Sequence, residues 1–268
     1  MKKRDATLVI ASVVLIVIIG LAFWVLNDTE ISEDVCTGPI AGIELHGELV
    51  TYTSSENYTD TELIADQASS EDIVWSINVA DNDPDVEAII IEVDSLGGYA
   101  VPAEEIANAL KSAEKPTVAL IRGYGISAAY WAATGADWII ASENSEVGGI
   151  GITMSYLDYS KQNKNEGITY QQISSGKFKD AGDPDKPLTE EEKAYLQRDT
   201  DIMNDNFVNE VAEKRDLDIV KVRALADGSS MLGQMALENG LIDELGGMPE
   251  VEKYLESEYD IVPDVCWY

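Results

Sequence analysis

Apolar positions along the chain follow three patterns. The first is an uncharged run of 19 residues, LVIASVVLIVIIGLAFWVL, from Leu8 to Leu26. As a helix rising about 1.5 Å per residue it can cross a hydrocarbon core of about 30 Å, so it predicts a membrane-spanning segment. A cleaved secretory signal shares the basic start MKKR, but its shorter apolar region ends in small residues. Here the run ends with Phe23 and Trp24, aromatic residues suited to an uncleaved interfacial anchor. Lys2, Lys3 and Arg4 then keep residues 1–7 in the cytoplasm and place everything after Leu26 outside.

The second pattern is the strand. Apolar and polar residues roughly alternate over Ile40–Leu49, after a polar tether at 27–38, and β-branched residues run continuously over Val86–Val93. Further strands are predicted at Pro116–Ile121, at Asp137–Ser142 and ahead of Ile173. The third pattern has helical spacing, at Leu63–Ala80, Pro102–Ala113, Ser127–Thr134 and Thr189–Arg215. Thr189 with Glu192 three residues on forms a capping box for the last of these. Buried strands separated by helices predict an α/β fold, a layered βαβ domain with a mainly parallel sheet over 39–256 and a tail at 257–268.

Composition narrows the function. Fifty acidic residues against 18 basic give a net charge of −32. That argues against nucleic acid as a partner, because phosphate recognition relies on Lys and Arg. The two cysteines, Cys36 and Cys266, bracket the external domain and either pair or remain as two thiols. Asn57-Tyr58-Thr59 matches a glycosylation sequon, a tripeptide too common to carry weight. Neither RGYGIS nor VGGIGIT has the Lys and Ser/Thr of a phosphate loop, and no zinc-ligand spacing is present. No cofactor or metal is expected.

His46 is the only histidine and falls inside the first strand, where a structural role is expected. A serine without histidine can instead be activated by a neutral lysine amine. Ser127, in RGYGISAAYWAAT, opens a helix; Lys177 and Lys179 stand in ISSGKFKDAG. Gly97 and Gly98, in VDSLGGYA, follow a buried strand and let backbone N–H groups approach a substrate.

The order DSLGG, helix, strand, GIS opening a helix, then SGKFKD resembles the SppA-like signal peptide peptidases. These are membrane-anchored serine–lysine peptidases with a ClpP/crotonase-type fold. ADGSSMLGQMALENGLIDELGG is similar to a late segment of that family, and the resemblance covers roughly 40–255 with the N-terminal anchor. It implies Ser127 as nucleophile, Lys179 as base, Lys177 at a variable position, and an oxyanion hole from Gly97 or Gly98 with the N–H of Ala128. It also implies peptide or exported-protein substrates near the outer face of the cell membrane, and a homo-oligomeric ring. Ala128 and Ala129 stand where the family has glycines, Leu96 replaces a proline, and Gly149 replaces a serine that orients the lysine. Ser145, Thr153 or a water would have to substitute for that serine. The alternative reading is a weak or inactive scaffold that binds peptides or membrane partners. Acyl-thioester chemistry on the same fold needs a cytoplasmic coenzyme, which the expected topology disfavours.

Overall fold

The computed structural model describes residues 38–53 and 66–267. The apolar run 8–26, the tether up to Thr37, Cys36 and the Asn57 sequon lie outside them. Among the described residues no helix is long and apolar enough to cross a membrane.

The strands are β1 (Ile40–His46), β2 (Glu48–Val50), β3 (Gln67–Ser69), β4 (Ala88–Ser95), β5 (Thr117–Ile126), β6 (Trp138–Ala141), β7 (Glu146–Gly148), β8 (Ser230–Leu232), β9 (Glu244–Leu245) and β10 (Val265–Trp267). The helices are α1 (Ser70–Asn82), α2 (Ala100–Ser112), α3 (Ala128–Ala133), α4 (Ser160–Glu166), α5 (Glu190–Lys214), α6 (Ile219–Leu225), α7 (Gly233–Asn239) and α8 (Met248–Tyr259). The main sheet runs β10-β1-β4-β5-β6-β9 and is parallel along this path. Farther along β5, β7 joins it in parallel and then pairs antiparallel with β8.

The β-branched run in β4 is explained by burial on both faces. Ile89, Ile91 and Val93 enter a large cluster beneath α1, α2 and α3, whereas Ala88 and Ile90 enter a smaller one with Val251 and Leu255 of α8. Helix α5 is fastened to α3 by Phe207, which is fully buried and stacks on Trp131 with ring centroids 4.7 Å apart. Phe207→Ala would remove that stack and open a cavity, costing about 3–5 kcal/mol, measurable by urea unfolding.

Three boundaries differ from the sequence reading. The first predicted strand is broken at Gly47, whose φ of +83° turns the chain, so β2 leaves the main sheet and pairs with β3. A Cβ at Gly47 would lie 1.9 Å from the Asp66 carbonyl oxygen, so only glycine fits this crossing. Helix α1 begins at Ser70, capped by the Ser69 hydroxyl, because Gln67–Ser69, expected as helix, form β3; Leu63, the helix start expected from sequence, lies outside the described residues. The segment expected as a tail finishes α8 and then adds β10 to the sheet edge, with the Trp267 ring over Gly42. Cys266 in β10 is disulfide-bonded.

Candidate active site

Strand β5 extends past β6, pairs with β7, and ends in a sharp turn at Ser127. Ser127 has φ +56° and ψ −126°, a region that residues with a Cβ rarely occupy and that costs of order 1–3 kcal/mol. The turn is held from both sides. The Ser127 amide donates to the Gly148 carbonyl at 2.7 Å, and the Ser127 carbonyl accepts from Trp131 N at 3.0 Å, starting α3. All six residues of α3 are buried, and Tyr130 donates its hydroxyl to the Leu241 carbonyl at 2.8 Å. Burial pushes the Tyr130 phenol well above its ordinary range, so it remains a neutral donor. Ser127 itself is half-buried at the edge of this packed helix, where its hydroxyl can meet a substrate.

The glycine pair after β4 forms the facing side. Gly97, at φ +108°, touches the serine turn so closely that a Cβ there would lie 2.9 Å from Ser127 Cβ and 3.1 Å from Ala128 N. Its amide donates to Ser95 Oγ at 3.1 Å, Ser95 Oγ donates to the Gly47 carbonyl at 2.5 Å, and its carbonyl accepts from Leu49 N at 2.9 Å. Both polar groups of Gly97 are therefore engaged. Gly98 differs. In its parallel bridge to Leu49 the bonds run through Gly97 O and Tyr99 N, so Gly98's own N–H and C=O point away from β2. Gly98 is exposed and Gly97 is buried. Gly97 thus sets the close approach, and the Gly98 amide is turned away from β2. Ser95, which the motif reading passed over, is the post on which this glycine turn rests.

Behind the serine, Gly148 and Gly149 have φ of +94° and +61°. A Cβ at Gly149 would lie 2.5 Å from Ile126 Cγ2. The glycine at the family's serine position therefore fits a backbone that excludes a side chain. Gly149→Ser would lower both stability and any cleavage, a result checked by thermal unfolding alongside a peptide assay. Ser145 cannot take over, because its buried hydroxyl donates to the Arg122 carbonyl and accepts from Ser142 N at 3.0 Å. Thr153 is exposed and lines a cleft of about 490 Å³ with Ile152, Lys193 and Leu196.

Lys179 belongs to the segment between β7 and α5. It is exposed on an irregular turn in which its amide donates to the Gly176 carbonyl at 3.2 Å, and it lines an open cleft with Tyr170, Ile173 and Asp180. No hydrogen bond joins it to Ser127 among the described residues, and the strand expected ahead of Ile173 is not formed. Lys177 pairs with Glu191 at 2.7 Å on the surface and lies 5.3 Å over the Phe178 ring. His46 occupies the opposite face of the sheet from α3, since its neighbour Leu45 enters the cluster that contains Ala128–Ala133. It faces Glu44 and Glu92, 3.6 and 3.3 Å away.

The motifs thus bring Gly97 against Ser127 and Ala128, and among the described residues no hydrogen bond ties Lys179 to them. Comparison with known proteins gives this arrangement a family. The model of Peptidase family S49 matches residues 109–261, more than half of the chain. A Methanocaldococcus jannaschii protein named as a protease is 34% identical over 100% of this chain and 87% of its own length. An Enterococcus faecium protein named as a signal peptide peptidase, SppA, is 28% identical over 87% of this chain and 67% of its own. Among solved structures, ClpP1 from Listeria monocytogenes (an N165D mutant) superposes with a TM-score of 0.50 at 12% identity, covering 77% of this chain and 91% of that one. At that identity the likeness speaks for a ClpP-like α/β fold alone. By its sequence and its relatives the chain belongs to Peptidase family S49, the SppA-like peptidases, and is a serine peptidase.

Proposed function

We propose that the chain is a membrane-anchored serine endopeptidase whose nucleophile is Ser127 and whose base is Lys179. The observation that carries this reading is the Ser127 turn. It is a strained, half-buried serine at the head of a buried helix, with the Gly97 backbone packed against it. As Ser127 Oγ attacks a peptide carbonyl, its proton passes to the neutral Lys179 amine and the Oγ–C bond forms. The carbonyl oxygen becomes an oxyanion between the Gly98 and Ala128 amides. Collapse breaks the C–N bond, the lysine ammonium returns its proton to the leaving amine, and water hydrolyses the remaining ester.

The turn bearing Lys179 has to come over Ser127 in the working enzyme, from the same chain or from a second copy in a homo-oligomer. Residues 8–26 would hold the domain at the bilayer, and a disulfide at Cys266 fits an oxidising, extracytoplasmic compartment. Substrates would then be leftover signal peptides or exported proteins at the outer membrane face. The lack of a hydrogen bond between Lys179 and Ser127 among the described residues favours one second reading, a domain that binds peptides without cutting them.

A fluorophosphonate probe decides between the two. An activated serine becomes phosphonylated, and mass mapping should place the adduct on Ser127. A protein that never labels across neutral and alkaline pH, and cuts no member of a peptide panel, would be the binding domain.

A further inference from the structure

Beside Lys179, and sharing only Asp180 with the SGKFKD motif, a cluster of charged groups joins the irregular segment to the first turn of α5. Lys186, Asp180 and Glu192 have side chains only 15%, 14% and 5% exposed. The Lys186 ammonium bonds to Glu192 Oε1 and lies 3.5 Å from Asp180 Oδ1. The other oxygen of Glu192 accepts the Thr189 amide and hydroxyl, each at 2.9 Å, closing the capping box of α5. Asp180 also accepts Gln172 Nε2 at 2.6 Å and the Tyr170 hydroxyl at 3.1 Å, and that hydroxyl lies 3.4 Å from Asp183 Oδ2. The remaining ion pair on this turn, Lys177 with Glu191, is exposed.

Two carboxylates, Asp180 and Glu192, thus share one ammonium, and Asp183 joins them only through the Tyr170 hydroxyl. The Lys186 ammonium, with the Thr189 bonds, holds the Glu192 carboxyl down at about 2, so Glu192 is ionised throughout the working range. Burial, with the neighbouring Asp180 and Asp183, pushes the Tyr170 phenol up to about 12, so it stays a neutral donor. Asp180 is the residue next to Lys179 in the chain. Its carboxylate, left unpaired, would favour the charged form of any neighbouring amine. Held by Lys186, it is tied to the first turn of a long helix that is itself fastened to α3 through Phe207 and Trp131.

On the reading of Lys179 as the base, we propose that Lys186 is its positioning residue. The Lys186 ammonium neutralises the Asp180 carboxylate and links the Lys179 turn to the capping box of α5, so the base can be neutral and held in place. Lys186 touches neither substrate nor nucleophile. Its contribution is electrostatic, and that separates it from a simple structural clamp.

The test follows the rate of fluorophosphonate labelling of the full chain from pH 6 to 10 in wild type, Lys186→Met, Lys186→Arg, Asp180→Asn and the double variant Lys186→Met/Asp180→Asn. Lys186→Met should move the rising limb toward alkaline pH by about one unit, a loss of about tenfold near neutrality that narrows at high pH. Lys186→Arg should behave as wild type, and the double variant should regain most of the loss. Asp180→Asn alone should move the limb to lower pH, so the proposal stays testable if Lys186→Met does not fold. With a peptide substrate the loss should fall on kcat while KM changes little. An unmoved profile in both single variants, or a loss uniform in pH that Asp180→Asn does not recover, would overturn it. Ser127→Ala and Lys179→Ala serve as controls. If either still labels as wild type does, the serine–lysine reading itself has failed; if both are dead and the profiles do not move, only the role of Lys186 has.

Discussion

Ser127→Ala abolishes peptide cleavage, by roughly 10⁴-fold or more, the order found when a serine peptidase loses its nucleophile. Ser145, offered by the sequence only as a substitute for the serine that orients the lysine, is buried and spent on the Arg122 carbonyl and the Ser142 amide, so it supplies no second nucleophile. Fold and hydroxyl can be separated with a second variant. Alanine at φ +56° keeps the strain of the turn, whereas glycine relieves it. Ser127→Gly should therefore be as inactive as Ser127→Ala yet more stable than wild type by up to about 2 kcal/mol, once the entropy cost of glycine is subtracted from the relieved strain. Parallel urea melts and peptide assays read both quantities. A destabilised glycine variant would mean that the turn carries no strain. An active alanine variant would remove Ser127 from the mechanism.

What the sequence made legible was whatever repeats with the period of an element or sits in a compact motif. The unbroken apolar run in β4 announced a strand covered on both faces, and Thr189 with Glu192 announced the start of α5. Gly47 was harder, because the alternation of apolar residues continues through it while a positive φ turns the chain away. The serine half of the site was readable since its parts lie at the ends of adjacent parallel strands, β4 and β5, and such ends converge wherever the sheet is formed. The lysine half was not. Lys179 stands in a stretch between β7 and α5 whose only regular element is α4, and nothing periodic there says where its side chain points. The Lys186 cluster was invisible for the same reason, since its partners are chosen by the packing of irregular chain.

Lys179→Ala should lower cleavage by roughly 10²- to 10⁴-fold, the worth of a positioned general base, with Ser127 left in place but not activated. The two lysines of the turn give the sharpest contrast. Lys177 is committed to an exposed pair with Glu191, worth about 0–1 kcal/mol, so Lys177→Ala should leave most of the rate intact. His46→Ala should also be tolerated, because the imidazole lies across the sheet from α3 and next to Glu44 and Glu92. The neutral amine is the form that can take the serine proton, so the wild-type rate should climb from acidic to mildly alkaline pH. Steady-state kinetics of the three variants over that range tests all of this together. Loss of activity on changing Lys177 with Lys179 tolerated would transfer the base to the neighbouring residue, and a dead His46→Ala would point to imidazole chemistry in its place. If all three variants match wild type while Ser127→Ala is dead, the base is none of these three residues. Lys193, on the cleft that begins three residues beyond Gly149, is then the next lysine to change.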